Sequence, residues 1–217
     1  MKLTEQTLNI LKNFSTINDG FVFRKGTVQR TMSSNKAIMV EAVIEEDFPL
    51  EFGIYDLSQF LGNVTTLNDP ELTFSNESVI IDDGDMILNY YKCSSNLIIS
   101  PPDKTLLLKK IDVTFDLSAD TLKKLLRLAM MNNLPNVTVQ GKNGELRLKT
   151  HEKKSDTSNF AYTKIANHTG DDFSISFKTD NLKLIPDDYS VEIMIDGFAK
   201  LTNKTGNIKC FVAVEAK

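Results

Sequence analysis

The stretch Phe52-Gly53-Ile54-Tyr55-Asp56-Leu57-Ser58-Gln59-Phe60-Leu61-Gly62-Asn63-Val64-Thr65-Thr66-Leu67 decides the architecture, because a worn copy of it returns at Phe173-Ser174-Ile175-Ser176-Phe177-Lys178-Thr179-Asp180-Asn181-Leu182-Lys183-Leu184-Ile185. Both begin as an alternating strand. Each then passes through a capping residue, Asp56 or Thr179/Asp180, into a short helix with leucines on one face. In the first copy Leu57, Phe60, Leu61 and Val64 recur at i, i+3, i+4 and i+7, with Asp56 and Gln59 in capping-box spacing. A turn follows in both, at Asn68-Asp69-Pro70 or Pro186-Asp187-Asp188, and leads to another strand.

Working outward, two more anchors repeat in the same order. Thr7-Leu8-Asn9-Ile10-Leu11-Lys12 sets against Thr121-Leu122-Lys123-Lys124-Leu125-Leu126, and Lys92-Cys93 sets against Lys209-Cys210. The first pair lies in amphipathic helices expected over 4–17, capped by Thr4, and over 118–131. Short alternating runs between the anchors read as antiparallel meanders, among them 37–44, 86–91, 96–99, 136–140, 145–150, 160–166 and 208–214. The pattern breaks at Ser100-Pro101-Pro102-Asp103-Lys104, where two prolines cannot donate to a ladder. The chain is therefore expected to be α+β, with similar domains at 1–99 and 111–217 joined by a connector at 100–110.

Composition narrows the function. The chain has 217 residues, 41% of them hydrophobic and 25% charged, enough to bury a core in each of two domains. No window approaches the roughly 18 apolar residues of a membrane span, and the N-terminus lacks a signal-peptide run, so no membrane is expected and the cytoplasm is the expected location. Cys93 and Cys210 lack the spacing of zinc or redox motifs. The polar clusters give no convergent site. His151-Glu152-Lys153-Lys154 lacks a second histidine, and Asp82-Asp83-Gly84-Asp85 lacks the distal Glu of a calcium loop and reads as a hairpin turn. His168 lies in a loop, and Glu45-Glu46-Asp47 reads as a solvated edge. No enzyme activity, metal or cofactor is expected.

One charged pattern stands out. Lys123, Lys124 and Arg127 share the side of a helix opposite Leu122, Leu125, Leu126 and Ala129, and the matching first-half helix carries Lys12. A net charge of −4 argues against a protein that coats nucleic acid. Cations gathered on one face of such a chain nevertheless point to phosphates. There is no aromatic-rich basic groove for stacking single strands and no recognition helix after a tight turn, which leaves duplex backbone without sequence reading.

Met1-Lys2-Leu3 through Leu11-Lys12-Asn13-Phe14-Ser15-Thr16-Ile17-Asn18, Ile54-Tyr55-Asp56-Leu57-Ser58-Gln59-Phe60-Leu61-Gly62 and Leu122-Lys123-Lys124-Leu125-Leu126-Arg127 resemble the sliding clamps of T4-type bacteriophages, the polymerase processivity factors. The resemblance implies a DNA clamp fold with two helices packed on antiparallel sheets in each domain. It also implies a ring of six such domains, hence a homotrimer, around double-stranded DNA. Lys12, Lys123, Lys124 and Arg127 would face the DNA, with Lys2 and Lys183 as further candidates. The partners it implies are the replicative DNA polymerase and the clamp loader, which dock peptides in an apolar pocket beside the connector. Candidate walls are Leu106, Leu107 and Leu108, with Met39 and Val40 from the first domain and Val212 and Val214 near the C-terminus. The reading from another class is a phage structural or assembly protein built on a duplicated β-rich domain.

Overall fold

Thr4 opens the first helix by accepting the Thr7 amide on its side chain at 3.3 Å. From there α1 (Glu5–Ile17) buries Thr7, Ile10, Leu11, Phe14 and Ile17; of the face that the sequence spacing marks, Leu8, Leu11, Phe14 or Ser15, and Ile17, it is Leu11, Phe14 and Ile17 that are buried, while Leu8 is half-buried. The computed structural model describes residues 1–104, 106–155 and 157–215. Its chain divides into two units, Met1–Thr105 and Leu106–Lys217.

In the first unit β1 (Phe21–Phe23) pairs with β4 (Phe52–Ile54), and β2 (Gly26–Met32) pairs with β3 (Ile38–Phe48), all antiparallel. The second helix, α2 (Leu57–Thr66), is capped by Asp56, whose carboxylate accepts the Gln59 amide at 2.8 Å, and it buries Leu57, Phe60, Leu61 and Val64. A three-stranded meander follows, β5 (Glu71–Phe74), β6 (Ser78–Asp82) and β7 (Ile87–Tyr91). Phenylalanines fill the space between these elements. Phe23 has the Phe21, Phe48 and Phe52 ring centroids at 4.7 Å and that of Phe60 at 5.8 Å.

The strand expected at 96–99 is instead a single 3₁₀ turn, Ser95–Leu97. Cys93 leaves the meander to bridge Gly53 on β4, and the Asn18 side chain then takes the Ile99 carbonyl at 3.0 Å. Among the described residues of this unit, no neighbouring strand pairs with 96–99.

In the second unit β8 (Val113–Leu117) leads into α3 (Ala119–Met131), capped by Ser118 and burying Leu122, Leu125 and Ala129. The strands β9 (Asn136–Lys142), β10 (Glu145–His151), β11 (Ala161–Asn167) and β12 (Phe173–Lys178) form a sheet in the order β11-β10-β9-β12. The β9–β10 hairpin turns on Asn143 and Gly144, both at positive φ (52° and 78°), as a two-residue turn between right-twisted strands requires. The strands β13 (Tyr189–Ile193), β14 (Phe198–Asn203) and β15 (Ile208–Ala213) extend from β8 in the order β15-β14-β13-β8.

The fold class is α+β, but the copied stretch has lost its helix. Where a second helix is expected, the chain makes only a 3₁₀ turn, Thr179–Asn181. In the first copy 13 positions separate Leu57 from Pro70, whereas Pro186 stands six positions after Asp180 and steers the residue before it out of the helical region. One apolar turn is too short to offset the cost of helix nucleation. Leu182 and Leu184 instead help line a small apolar cavity of about 40 Å³, with Phe115, Leu122, Val137 and Phe177.

Candidate nucleic-acid interface

The α3 helix is built to show cations. A 100° step per residue sets Lys123, Lys124 and Arg127 on the arc away from Leu122, Leu125 and Ala129, and all three are exposed while the apolar three are buried. Lys124 pairs one turn back with Asp120 at 2.7 Å, both side chains being largely exposed, so part of its charge is offset in place. The outward face of α1 carries Lys12, exposed, with Glu5, Gln6, Asn9 and Thr16. On α2 there is no charged residue at all. Lys2 forms an ion pair with Asp69, and Lys183 is exposed just past the 3₁₀ turn.

Both helices that carry candidate cations are anchored at their N-termini by a carboxylate from elsewhere in the same unit. Glu46 on β3 accepts the Thr4 amide at 2.5 Å and the Thr7 hydroxyl. It is only 8% exposed, because the alternation of β3 exposes Glu45 and Asp47 and turns Glu46 inward. The solvated edge expected for Glu45-Glu46-Asp47 is thus corrected at its middle residue. At α3 Asp188 accepts the Ala119 amide at 2.8 Å and pairs with Lys204 at 2.5 Å. The Lys204 bond, then the Ala119 amide, hold the Asp188 carboxyl below its usual range. A negative charge at these ends also complements the helix dipole.

The candidate walls of the partner pocket fall into two groups. Leu107 is 82% exposed, Leu106 is at the margin of exposure, and Leu108 is half-buried. Val214 is half-buried and lines a groove with Ser174, Ile175, Ile195 and Gly197, held there by its amide on the Gly197 carbonyl at 3.0 Å. Met39 and Val40 are buried in β3, and Val212 is buried against the apolar cavity of the second unit. Val40 and Val212 are core residues of their own units.

Sequence reasoning missed one aromatic and basic grouping. On the outward face of β10 and β11, the Lys149 ammonium lies 4.8 Å from the Phe160 ring centroid, and the Arg147 guanidinium lies 5.2 Å from that of Tyr162. These residues are 11 and 15 positions apart in sequence and meet only through the antiparallel register, in which Lys149 is opposite Tyr162. Each ring already holds a cation of its own sheet.

Residues 3–99 match the family model described as DNA polymerase processivity factor. The chain is 28% identical over 222 residues to the sliding clamp of Vibrio phage KVP40, covering all of both chains. It is 26% identical to the sliding clamp of Enterobacteria phage T4, over all of this chain and 97% of that one. Among solved structures, PCNA of A. fulgidus with the C-terminal region of FEN-1 bound superposes with a TM-score of 0.72 at 14% identity, covering 100% of this chain and 97% of that one. PCNA of Entamoeba histolytica gives 0.69 at 12% identity, over 96% and 94%. The fold is therefore that of the clamps. The chain is thus similar to the sliding clamps of T4-type phages from end to end and matches the processivity-factor model over residues 3–99.

Proposed function

We propose that this protein is a sliding clamp that encircles duplex DNA as a homotrimeric ring and tethers the replicative DNA polymerase, after a clamp loader has placed it there, in the cytoplasm of the infected host. The observation that carries this reading is the exposed row Lys123, Lys124 and Arg127 opposite the buried stripe of α3. Lysines are mobile point charges that attract phosphates diffusely, whereas contacts to base edges would create wells that stop sliding. Topology then does what affinity does not need to do.

Two clamp domains per chain, 1–99 and 111–217 with a connector at 100–110, make three chains the number that completes six. With three α-helices among the described residues of each chain, such a ring carries nine, and a 3₁₀ turn stands at each of the remaining three positions. Lys12, Lys123, Lys124 and Arg127 face the hole. Lys2, already paired with Asp69, and Lys183 contribute less. Partner peptides dock on the exposed Leu106 and Leu107 with the half-buried Leu108, and in the groove beside Val214; Met39, Val40 and Val212, buried within their own units, are secondary candidates.

The decisive experiment loads the protein on nicked circular DNA with a phage clamp loader and then linearises the DNA. Retention on the circle and loss from the linear form are expected. Persistent retention on DNA with free ends would overturn the topological reading.

A further inference from the structure

The chain leaving the first unit is tied down by Asn18, Arg24 and Arg30, and each of these side chains is itself fixed before it reaches the connector. Asn18, the C-cap of α1, donates through Nδ2 to the Ile99 carbonyl and to the Met32 carbonyl at the end of β2, both at 3.0 Å, and accepts the Gly20 amide at 3.2 Å. Arg24 stands in the turn between β1 and β2. The buried Gln29 builds that turn, accepting the Arg24 amide at 2.9 Å and donating to the Arg24 and Gly26 carbonyls at 2.8 and 3.1 Å. Arg30 on β2 lies opposite Glu41 on β3 and donates through Nε to its carboxylate at 2.8 Å, in an ion pair with both side chains nearly buried.

The two guanidinium groups then converge on residues 100–103. Arg24 donates through Nη2 to the Pro101 carbonyl at 2.6 Å and to the Ser100 hydroxyl at 3.1 Å, and through Nη1 to the Asp103 carboxylate. Its Nε is buried without a hydrogen-bond partner, so among the described residues the hydrogen bonds of this side chain all go to the connector. Arg30 adds a bond from Nη1 to the Asp103 carbonyl. A planar fork of donors can hold a carbonyl, a hydroxyl and a carboxylate at once, whereas an ammonium is a single point of charge. Pro101 is buried, and the fixed φ of Pro101 and Pro102 leaves little freedom for these bonds to remove. Past the held stretch, Lys104, Leu106 and Leu107 are exposed.

We propose that Arg24, backed by Arg30, is a positioning residue for partner docking: it fixes where the connector leaves the first unit and so presents Leu106 and Leu107 in one place to an incoming apolar peptide. The proposal rests on the docking reading above and adds to it the side chains that organise the docking segment in advance. A segment ordered when the protein folds does not have to be ordered when the partner binds, and the affinity gained is the ordering cost avoided. Loss of the Arg24 bonds would leave both leucines present and exposed on a looser chain. Affinity for the partner should then fall, while the cations of α1 and α3 are untouched.

The test uses the full chain with Arg24→Ala, Arg24→Lys, Asp103→Ala and the pair Arg24→Ala/Asp103→Ala. Arg30 stays in place, because its removal would leave the Glu41 carboxylate buried and unpaired. Three quantities are measured: the rate of tryptic cleavage after Lys104 under native conditions, the affinity for the replicative DNA polymerase of the same phage, and retention on nicked circular DNA after loading. Arg24→Ala is expected to speed the cleavage about tenfold and to weaken polymerase binding about tenfold, the worth of one hydrogen bond to a charged group, with DNA retention unchanged. Arg24→Lys should fall between it and the parent, since it keeps the charge and loses the fork. Asp103→Ala, at an exposed position, should change both rates and affinity about threefold, and it keeps the proposal testable if thermal unfolding shows Arg24→Ala to be misfolded. The pair should be no weaker than Arg24→Ala alone, because both changes remove one contact, and effects that multiply would overturn the coupling. Unchanged cleavage in the folded variants would overturn the anchoring. Faster cleavage with unaltered polymerase affinity would overturn the role in docking and leave the docking reading standing, whereas a parent chain that binds no polymerase overturns that reading itself.

Discussion

Replacing Glu46 by Ala tests whether a buried carboxylate on β3 sets the start of the helix that carries Lys12. The carboxylate accepts two hydrogen bonds, from the Thr4 amide at 2.5 Å and from the Thr7 hydroxyl, at a site only 8% exposed. A hydrogen bond to a charged group contributes about 1.5–3 kcal/mol, and truncation leaves both donors without this acceptor. Because the carboxylate also had to be desolvated, the lower end applies to each bond, for a loss of about 3 kcal/mol. At about 2–4 °C per kcal/mol for a chain of this size, the melting temperature is expected to fall by about 6–12 °C. Urea unfolding checks the same quantity, and the midpoint should move with little change in m. Glu46→Gln keeps one acceptor oxygen but turns an amino group toward the other donor, so a smaller loss of about 1–2 kcal/mol is expected. Hydrogen exchange gives the local reading, with amides in the first turn of α1 exchanging faster while those of α2 change less. A Glu46→Ala protein that melts within about 2 °C of the parent would refute the reasoning, since it would mean that water or a shifted α1 replaces both bonds at no cost.

Three further outcomes are expected. Replacing Lys123 and Arg127 by Ala removes up to two phosphate partners per α3, so the slope of log affinity for duplex DNA against log salt should drop by about 0.9 for each phosphate no longer neutralised, with helicity unchanged. An unaltered slope would place DNA on another face. Gly141→Ala puts a methyl group 2.4 Å from the Phe173 ring and 2.7 Å from the His168 ring, so unfolding should show a loss of about 1–3 kcal/mol. A stable Gly141→Ala protein would show that both rings can swing aside. Burial, then Lys149 and Lys153, hold His151 below its ordinary value of 6.5. The unfolded chain therefore takes up this proton first, and the contribution is intact above pH 6.5 and declines as pH falls from there toward the lower folded value. His151→Gln should flatten that part of the melting temperature against pH profile, and an identical slope in the variant would assign it to other groups.

Periodicity reveals only what is written along the chain. The stripes of α1, α2 and α3 could be read because each buries residues three and four apart, and the caps Thr4, Asp56 and Ser118 are local to the helices they start. The shortening to a 3₁₀ turn at Thr179–Asn181 is also written locally, in the short distance to Pro186, although the leucines on one side favour a longer helix. Glu46 was not legible. Its neighbours Glu45 and Asp47 are solvated, and only the alternation of β3 beneath α1 turns the middle carboxylate inward. Asp188 reaches Ala119 across 69 positions, and Lys149 meets Phe160 through a strand register, so no window on the sequence contains either pair. At the candidate interface the cations of α3 were readable while the carboxylates that hold the helices in place were not.

The lost helix and the charge pattern bear on the same question, which is how evenly a duplicated chain divides its task. The first unit keeps two full helices and a core of interlocking phenylalanines, yet its helices offer one cation, Lys12, against Glu5. The second unit keeps one helix, with a small cavity beneath the shortened turn, and that helix carries three cations against Asp120. Duplication alone would give each domain an equal share of the attraction for DNA. The helix cations stand mainly in the second unit and the larger aromatic core in the first. In the proposed ring the positive charge therefore repeats with three-fold rather than six-fold symmetry. A duplex inside it meets three basic surfaces separated by three nearly neutral ones. In that proposed ring, broad and widely spaced attraction would hold DNA near the axis without a continuous belt of contacts.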